Sequence, residues 1–239
     1  MATFILVHGS WHGSWCWRRV TPLLECRGHK AIALDLPGHG ADRTSPNDIT
    51  LAHYVDAIVR AVEEQRERPI VVVHSMGGVL ASVGEARPDA LAAMVFIAPN
   101  LPPSGSSMLS VVDEYDPGFP ACFVWARDGR SASISPDGVR QFLYNGCPAS
   151  IVDDLLPLFT PEPVAPFEAT LTMTPDRFGR VPRYFVETLQ DRAVPLRLQR
   201  ATQARVGFKG VFTLDADHAP FFSASEDLAA CLNSIAHTC

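Results

Sequence analysis

Three residues of this 239-residue chain have the types and order that nucleophilic catalysis needs: Ser75, Asp191 and His218. A serine hydroxyl is a weak nucleophile until a base accepts its proton, and an imidazole serves best when a carboxylate fixes its tautomer. Ser75 lies in Pro69-Ile-Val-Val-Val-His-Ser-Met-Gly-Gly78, a β-branched run that breaks at the serine into glycines. This is the layout of a nucleophile elbow, a sharp strand-to-helix turn that lifts a serine clear of a sheet. One position departs from the usual Gly-x-Ser-x-Gly: Val73 stands at the first glycine. Overfilling such a site costs about 1–3 kcal/mol unless the neighbours yield. Gly77, Gly78 and Ala81 are small enough to make room, so Val73→Gly is expected to keep fold and activity.

The base should follow the last strand, and His218 lies in Leu214-Asp-Ala-Asp-His-Ala-Pro-Phe-Phe222. Of the other seven histidines, His29, His53 and His237 fall on surface-like segments, while His8, His12, His39 and His74 fall at loop ends near the same sheet edge. Only His218 combines the chain order with the right element end. Tyr184-Phe-Val-Glu-Thr-Leu-Gln-Asp191 offers Asp191 as the acid, with Glu187 a weaker rival; Asp215 and Asp217 are too near His218 in sequence. Ester chemistry also needs two N–H donors for the developing oxyanion. Met76, directly after the nucleophile, should give one. Ser10 or its neighbour, in Val7-His-Gly-Ser-Trp-His-Gly13, should give the other. That loop lacks both Gly-x-Gly-x-x-Gly and a Gly-Lys-Ser/Thr ending, which argues against a dinucleotide site, and no metal-ligand set is visible.

Six apolar runs can carry these residues as strands: 3–8, 30–35, 69–74, 92–97, 182–188 and 210–214. Helical patterns fall near 14–27, 50–67, 77–87, 195–206 and 225–237. Continuously apolar strands alternating with helices imply a mostly parallel sheet of about six strands covered on both faces. With Ser, Asp and His in that order at strand ends, the expected architecture is an α/β-hydrolase fold. Residues 1–99 and 181–239 form the expected core. The stretch 100–180, rich in Pro, Gly and Ser but also in large apolar residues, reads as a mostly helical cap without a clear strand, folded over the carboxyl edge of the sheet. Trp11, Trp125 and Phe221 are candidate substrate-binding residues, though each fits a core position equally.

Composition narrows the class further. Apolar residues make up 47% of the chain, enough for a substantial core, and the net charge of −6 without a basic stripe argues against nucleic acid and acidic membranes as partners. Six scattered cysteines without ligand spacing read as mostly buried thiols in a reducing compartment. No signal peptide or span of transmembrane length is visible, so a cytoplasmic location is expected.

The stretch Phe4-Ile-Leu-Val-His-Gly-Ser-Trp-His-Gly-Ser-Trp-Cys-Trp17 resembles the opening of the plant methyl esterase and hydroxynitrile lyase family, which also takes in bacterial esterases and pyrethroid hydrolases. Leu34-Asp-Leu-Pro-Gly-His-Gly40, Phe142-Leu-Tyr-Asn145, the Arg183–Asp191 run, Gln199 and Asp217-His-Ala-Pro-Phe-Phe222 extend the resemblance along nearly the whole chain. It implies a helical cap, small hydrophobic ester substrates, no cofactor, a homodimer, and Ser75, Asp191 and His218 as the triad. The lyases of that family carry a lysine after the histidine, credited with stabilising the departing cyanide, and the esterases usually a methionine. Ala219 can supply no charge there, which argues against cyanohydrin cleavage. The expected activity is therefore carboxylic ester hydrolysis, with a hydroxynitrile lyase and a small-molecule receptor on a hydrolase scaffold as the alternatives.

Overall fold

A computed structural model describes residues 1–115 and 117–239. Its strands are β1 (Thr3–Val7), β2 (Lys30–Leu34), β3 (Ile70–His74), β4 (Ala93–Ile97), β5 (Phe123–Trp125), β6 (Ser131–Ile134), β7 (Glu162–Pro163), β8 (Arg183–Thr188) and β9 (Gly210–Leu214). Six of them form one parallel sheet in the order β2-β1-β3-β4-β8-β9. All six expected strands are present, each within one residue of its expected ends.

Alternation along the strands explains the layers. Phe4, Leu6, Ile70, Val72, Val95 and Ile97 face one side, packed with Val20 and Leu24 of helix Val20–Cys26 and with Leu228, Leu232 and Ile235 of helix Ser225–Ala236. Ile5, Val7, Val71, Val73, Met94 and Phe96 face the other side, against Tyr54, Ile58 and Val62 of helix Leu51–Glu63. Successive side chains of a strand point to opposite faces, so a sheet buried on both faces needs apolar residues at every position. Helix Leu51–Glu63 stops four residues short of the expected 67, because Glu64-Gln-Arg-Glu-Arg68 is a solvated polar run leading into Pro69, and a residue before proline is driven out of the helical region.

Chain order runs from β1 outward to β2, then back across β1 to β3. The direction of winding therefore switches between β1 and β3, where open α/β sheets form a crevice at their carboxyl ends. Val7 pairs with Val73 in register, so the loops after these strands leave the sheet side by side.

Between β4 and β8 the intervening segment differs from the expectation of a strandless, helical unit. Beside short helices such as Ala149–Leu155, it holds a three-stranded antiparallel sheet, β5-β6-β7. These strands are only two to four residues long, too short to show a period in sequence. Two further corrections concern burial. Only Cys16 and Cys231 of the six free cysteines are buried, and Cys26 and Cys239 are exposed. His29 is buried, bound through Nε2 to Asn233 and through Nδ1 to the Ala2 amide. No helix among the described residues is long and apolar enough to cross a membrane.

Candidate active site

Ser75 directly follows β3 and adopts φ +53°, in the left-handed region that non-glycine residues rarely occupy. Its carbonyl accepts from the Asn100 amide at 2.8 Å, which anchors the turn to the end of β4. A Cβ on Gly78 would stand 1.8 Å from the Asn100 carbonyl oxygen, so only glycine fits. A Cβ on Gly77 would stand 2.6 Å from the Cβ of Val73. The space for Val73 at the elbow therefore comes from the missing side chain of Gly77, and Val73 itself is fully buried in the core.

Ser75 Oγ lies 2.8 Å from His218 Nε2 and donates to it when the imidazole is neutral; His218 Nδ1 donates to Asp191 Oδ2 at 2.7 Å. The three residues come from the ends of β3, β8 and β9, 143 and 27 positions apart along the chain. Asp191 is held on every side. Its Oδ1 accepts from the amides of Ala193 and Val194, both at 2.8 Å, and its Oδ2 accepts from the Thr188 hydroxyl. Gln199 braces the same loop, with Oε1 on the Thr188 amide and Nε2 on the Val194 carbonyl. The rival acids are engaged elsewhere. Glu187 binds Arg200, Gln203 and Thr213, and Asp215 accepts from Gln190. Asp217 accepts from the amides of Gly146 and Ala219 and from the Ser223 hydroxyl.

The loop after β1 crosses the nucleophile closely. A Cβ on Gly9 would stand 2.8 Å from Ser75 Cβ and 2.7 Å from His74 Nδ1. Three buried histidines fix the surrounding carbonyls: His8 Nδ1 bonds Gly9 O at 2.8 Å, His12 Nδ1 bonds Ser10 O at 2.7 Å, and His74 Nε2 bonds His218 O at 2.7 Å. A carbonyl only accepts, so each of those nitrogens carries a proton. The opposite nitrogen of His8 accepts from the Leu36 amide, and that of His12 faces the Tyr144 hydroxyl. Burial away from water lowers all three imidazoles, that of His12 to about 3, so they are neutral donors at ordinary pH. Sequence alone placed these histidines near the edge without giving them this fastening role.

Ser10 and Ser75 open on a cleft of about 710 Å³, counted to its mouth. Its wall is mostly apolar, with Met108, Phe119, Phe123 and Phe167 of the intervening segment beside Trp11, whose ring packs against those of Phe119 and Phe123. Trp125, half exposed, lines the mouth. Met76 buries its side chain in the core directly behind the elbow, leaving its amide at the start of the helical turn. Phe221 is a correction: it does not line the cleft but is fully buried beneath the site, with its ring against His12, Trp17 and His74. Its place in the Pro220–Ser223 helical turn points it into the core, and spacing alone does not distinguish the two sides. Glu162, Asn100 and Tyr115 line the cleft without having been singled out from sequence. Asn100 had one available signal, its place at the carboxyl end of a central strand. Glu162, in Thr160-Pro-Glu-Pro163, had none.

The sequence profile of the α/β hydrolase family matches residues 4–231. The chain belongs to the α/β hydrolase family. Among curated relatives, this hydrolase is 32% identical to methylesterase 7 of Arabidopsis thaliana, over 98% of this chain and 95% of that one. It is 31% identical to salicylic acid-binding protein 2 of Nicotiana tabacum, over 98% and 96%. Among solved structures, polyneuridine aldehyde esterase superposes with a TM-score of 0.92 at 22% identity, covering 99% of both chains, which speaks for the fold. The pyrethroid hydrolase PytH superposes with a TM-score of 0.85 at 25% identity, covering 99% of this chain and 98% of that one.

Proposed function

We propose that this α/β hydrolase is a carboxylic ester hydrolase that acts on small hydrophobic esters through an acyl-enzyme. The observation that carries the reading is the continuous chain Ser75–His218–Asp191, at 2.8 and 2.7 Å, opening on an apolar cleft. His218 Nε2 takes the hydroxyl proton as Ser75 Oγ attacks the ester carbonyl carbon, and the carbonyl electron pair moves to oxygen. The amides of Ser10 and Met76 donate to that oxyanion. Collapse of the adduct breaks the C–O bond to the alcohol, which leaves with the proton held by His218. Water then repeats the sequence on the acyl-serine and releases the carboxylic acid. Asp191 holds the imidazole in the Nδ1–H tautomer and stabilises the imidazolium. The methylesterase names of the relatives favour a small alcohol as leaving group.

In this reading residues 100–180 are a cap inserted between core segments 1–99 and 181–239, and they shape the acyl site. The wall of the cleft holds no lysine or arginine among the described residues, and Ala219 is buried, so no cation stands ready for a departing cyanide. Six free thiols agree with a reducing, cytoplasmic setting. The test is hydrolysis of a panel of methyl and p-nitrophenyl esters by the wild type and by Ser75→Ala. The wild type should turn over many times and show a serine-75 acyl adduct by mass spectrometry, and the variant should be inactive yet folded. Undiminished turnover in Ser75→Ala would remove the nucleophile, and binding without turnover in the wild type would favour a receptor.

A further inference from the structure

The loop that carries Ser10 is held partly from within, by His8 on the Gly9 carbonyl and His12 on the Ser10 carbonyl, and partly from outside. Its next residue, Trp11, adopts φ +64°, a left-handed conformation that a bulky side chain does not choose unaided. Every polar group of Trp11 is bound to the segment between β4 and β8. Its amide donates to Glu162 Oε2 at 2.9 Å, its carbonyl accepts from the Thr160 amide at 3.0 Å, and its indole Nε1 donates to the Ala132 carbonyl at 2.8 Å. Glu162 is itself 97% buried. Its Oε1 accepts from the Tyr54 hydroxyl at 3.1 Å, and His39 bridges Tyr54 and Thr160 through its two ring nitrogens. The carboxylate is thus locked from the core side while it grips the loop.

We infer that Glu162 is a positioning residue for the oxyanion hole: by holding the Trp11 amide it fixes the peptide next to it, whose N–H belongs to Ser10, over the reacting carbonyl. The inference rests on the acyl-enzyme reading above. The planar Ser10–Trp11 peptide is held at both ends, its Ser10 carbonyl by His12 Nδ1 and its Trp11 N–H by Glu162, and this fixes the Ser10 backbone on the side away from its own N–H, which lies in the Gly9–Ser10 peptide. Without an acceptor at Glu162, the strained Trp11 relaxes and carries Ser10 with it. Loss of alignment of about 1 Å at a reacting centre can cost about a hundredfold in rate. Trp11 also lines the cleft, so ground-state binding shifts with it, but by less than the transition state, which alone uses the Ser10 amide.

Two variants separate reach from charge. Glu162→Gln keeps an acceptor at the same reach, and the Tyr54–His39–Thr160 chain can reverse its donors to suit the amide. Glu162→Asp keeps the charge but withdraws the oxygens by one methylene. With a p-nitrophenyl ester, Glu162→Gln should stay within about threefold of wild-type kcat. Glu162→Asp should lose about ten- to a hundredfold in kcat with KM within threefold, and lose affinity for a tetrahedral boronic acid in the same proportion. Circular dichroism and thermal unfolding establish that both are folded. A folded Glu162→Asp with wild-type kcat, or with a defect in KM alone, overturns the inference. So does a folded Glu162→Gln as impaired as the aspartate, which would assign the carboxylate an electrostatic role. If Ser75→Ala were active, the acyl-enzyme reading itself would fall; if it is inactive and the two Glu162 variants behave alike, only the positioning role falls.

Discussion

The sheet and the segment between β4 and β8 solve different problems with different means. In the sheet, whole elements are uniform. Every position of β3 and β4 is buried, and the reacting residues leave strand ends whose register is fixed by neighbouring strands. In the segment, strands are short, and the structure is tied to the core by separate polar contacts, among them Glu162 to Trp11, Gly146 to Asp217, and Asn145 to the Gln190 carbonyl. Those three contacts fall on the loops that carry Ser10, His218 and Asp191. The difference teaches that the chemistry is placed by the sheet and adjusted by the segment. Changes at the strand ends should therefore act alike on every ester, as should changes at Glu162, proposed to act through Ser10, whereas changes in the cleft wall of the segment should depend on the ester.

The strongest way to break that contrast is at the base. His218→Ala should lower kcat about 10⁶-fold for every member of an ester panel, since a triad works as a unit and what remains comes from oxyanion donors and binding. A loss confined to large esters would contradict the division.

Acid should come next. His8, His12 and His74 are buried in the neutral form, whereas in the unfolded chain each takes a proton near its ordinary pKa of about 6.5. As pH falls below about 6.5 the unfolded state binds more protons than the folded one, so stability falls. The slope is up to about 1.4 kcal/mol per pH unit for each such histidine, and for His12 it ends near about 3, where the folded form titrates as well. Urea unfolding at pH 7, 6, 5 and 4 should show this decline, and a flat profile between pH 6 and 4 would contradict neutral burial.

The elbow offers a more local test. Gly77→Ala should cost about 1–3 kcal/mol by forcing its Cβ into Val73. Val73→Gly, which removes the Cβ that Gly77→Ala would strike, should recover part of that loss in the double variant, giving a coupling energy that thermal unfolding can measure. Strictly additive effects would mean that Val73 and Gly77 do not share the space. Val73→Gly alone, expected from sequence to be harmless, now removes a fully buried side chain and should lower stability while leaving the triad in place.

The smallest effect belongs to the mouth. Trp125 is 53% exposed, so Trp125→Ala should barely alter thermal stability. It should raise KM several-fold for bulky aryl esters and leave p-nitrophenyl acetate unchanged, a change of about 1 kcal/mol in discrimination. An equal loss on both substrates would place Trp125 with the machinery and not with the cleft wall.

Much of this was readable along the chain. Strand and helix periods depend on residues two to four positions apart, so β1, β3 and β9 could be read from local pattern, and so could Ser75 and His218 as residues at strand ends. Asp191 followed from order alone. Glu187 stayed a rival there, and the structure separates the two by their partners: Asp191 bonds His218, Thr188 and the Ala193 and Val194 amides, while Glu187 bonds Arg200, Gln203 and Thr213. The short strands β5, β6 and β7 carried too few residues to announce themselves.

Sequence by itself determined the sheet, its layers and the order in which Ser75, Asp191 and His218 reach one edge. It did so because burial on both faces demands apolar residues at nearly every position of the central strands β1, β3 and β4, a pattern that each of them carries without reference to the others. Only tertiary structure decided that Phe221 lies beneath the site, that buried histidines fasten its carbonyls, and that Glu162 grips a loop 151 residues away. Such contacts join groups whose neighbours in the chain say nothing of each other, and they exist only once separate elements have packed.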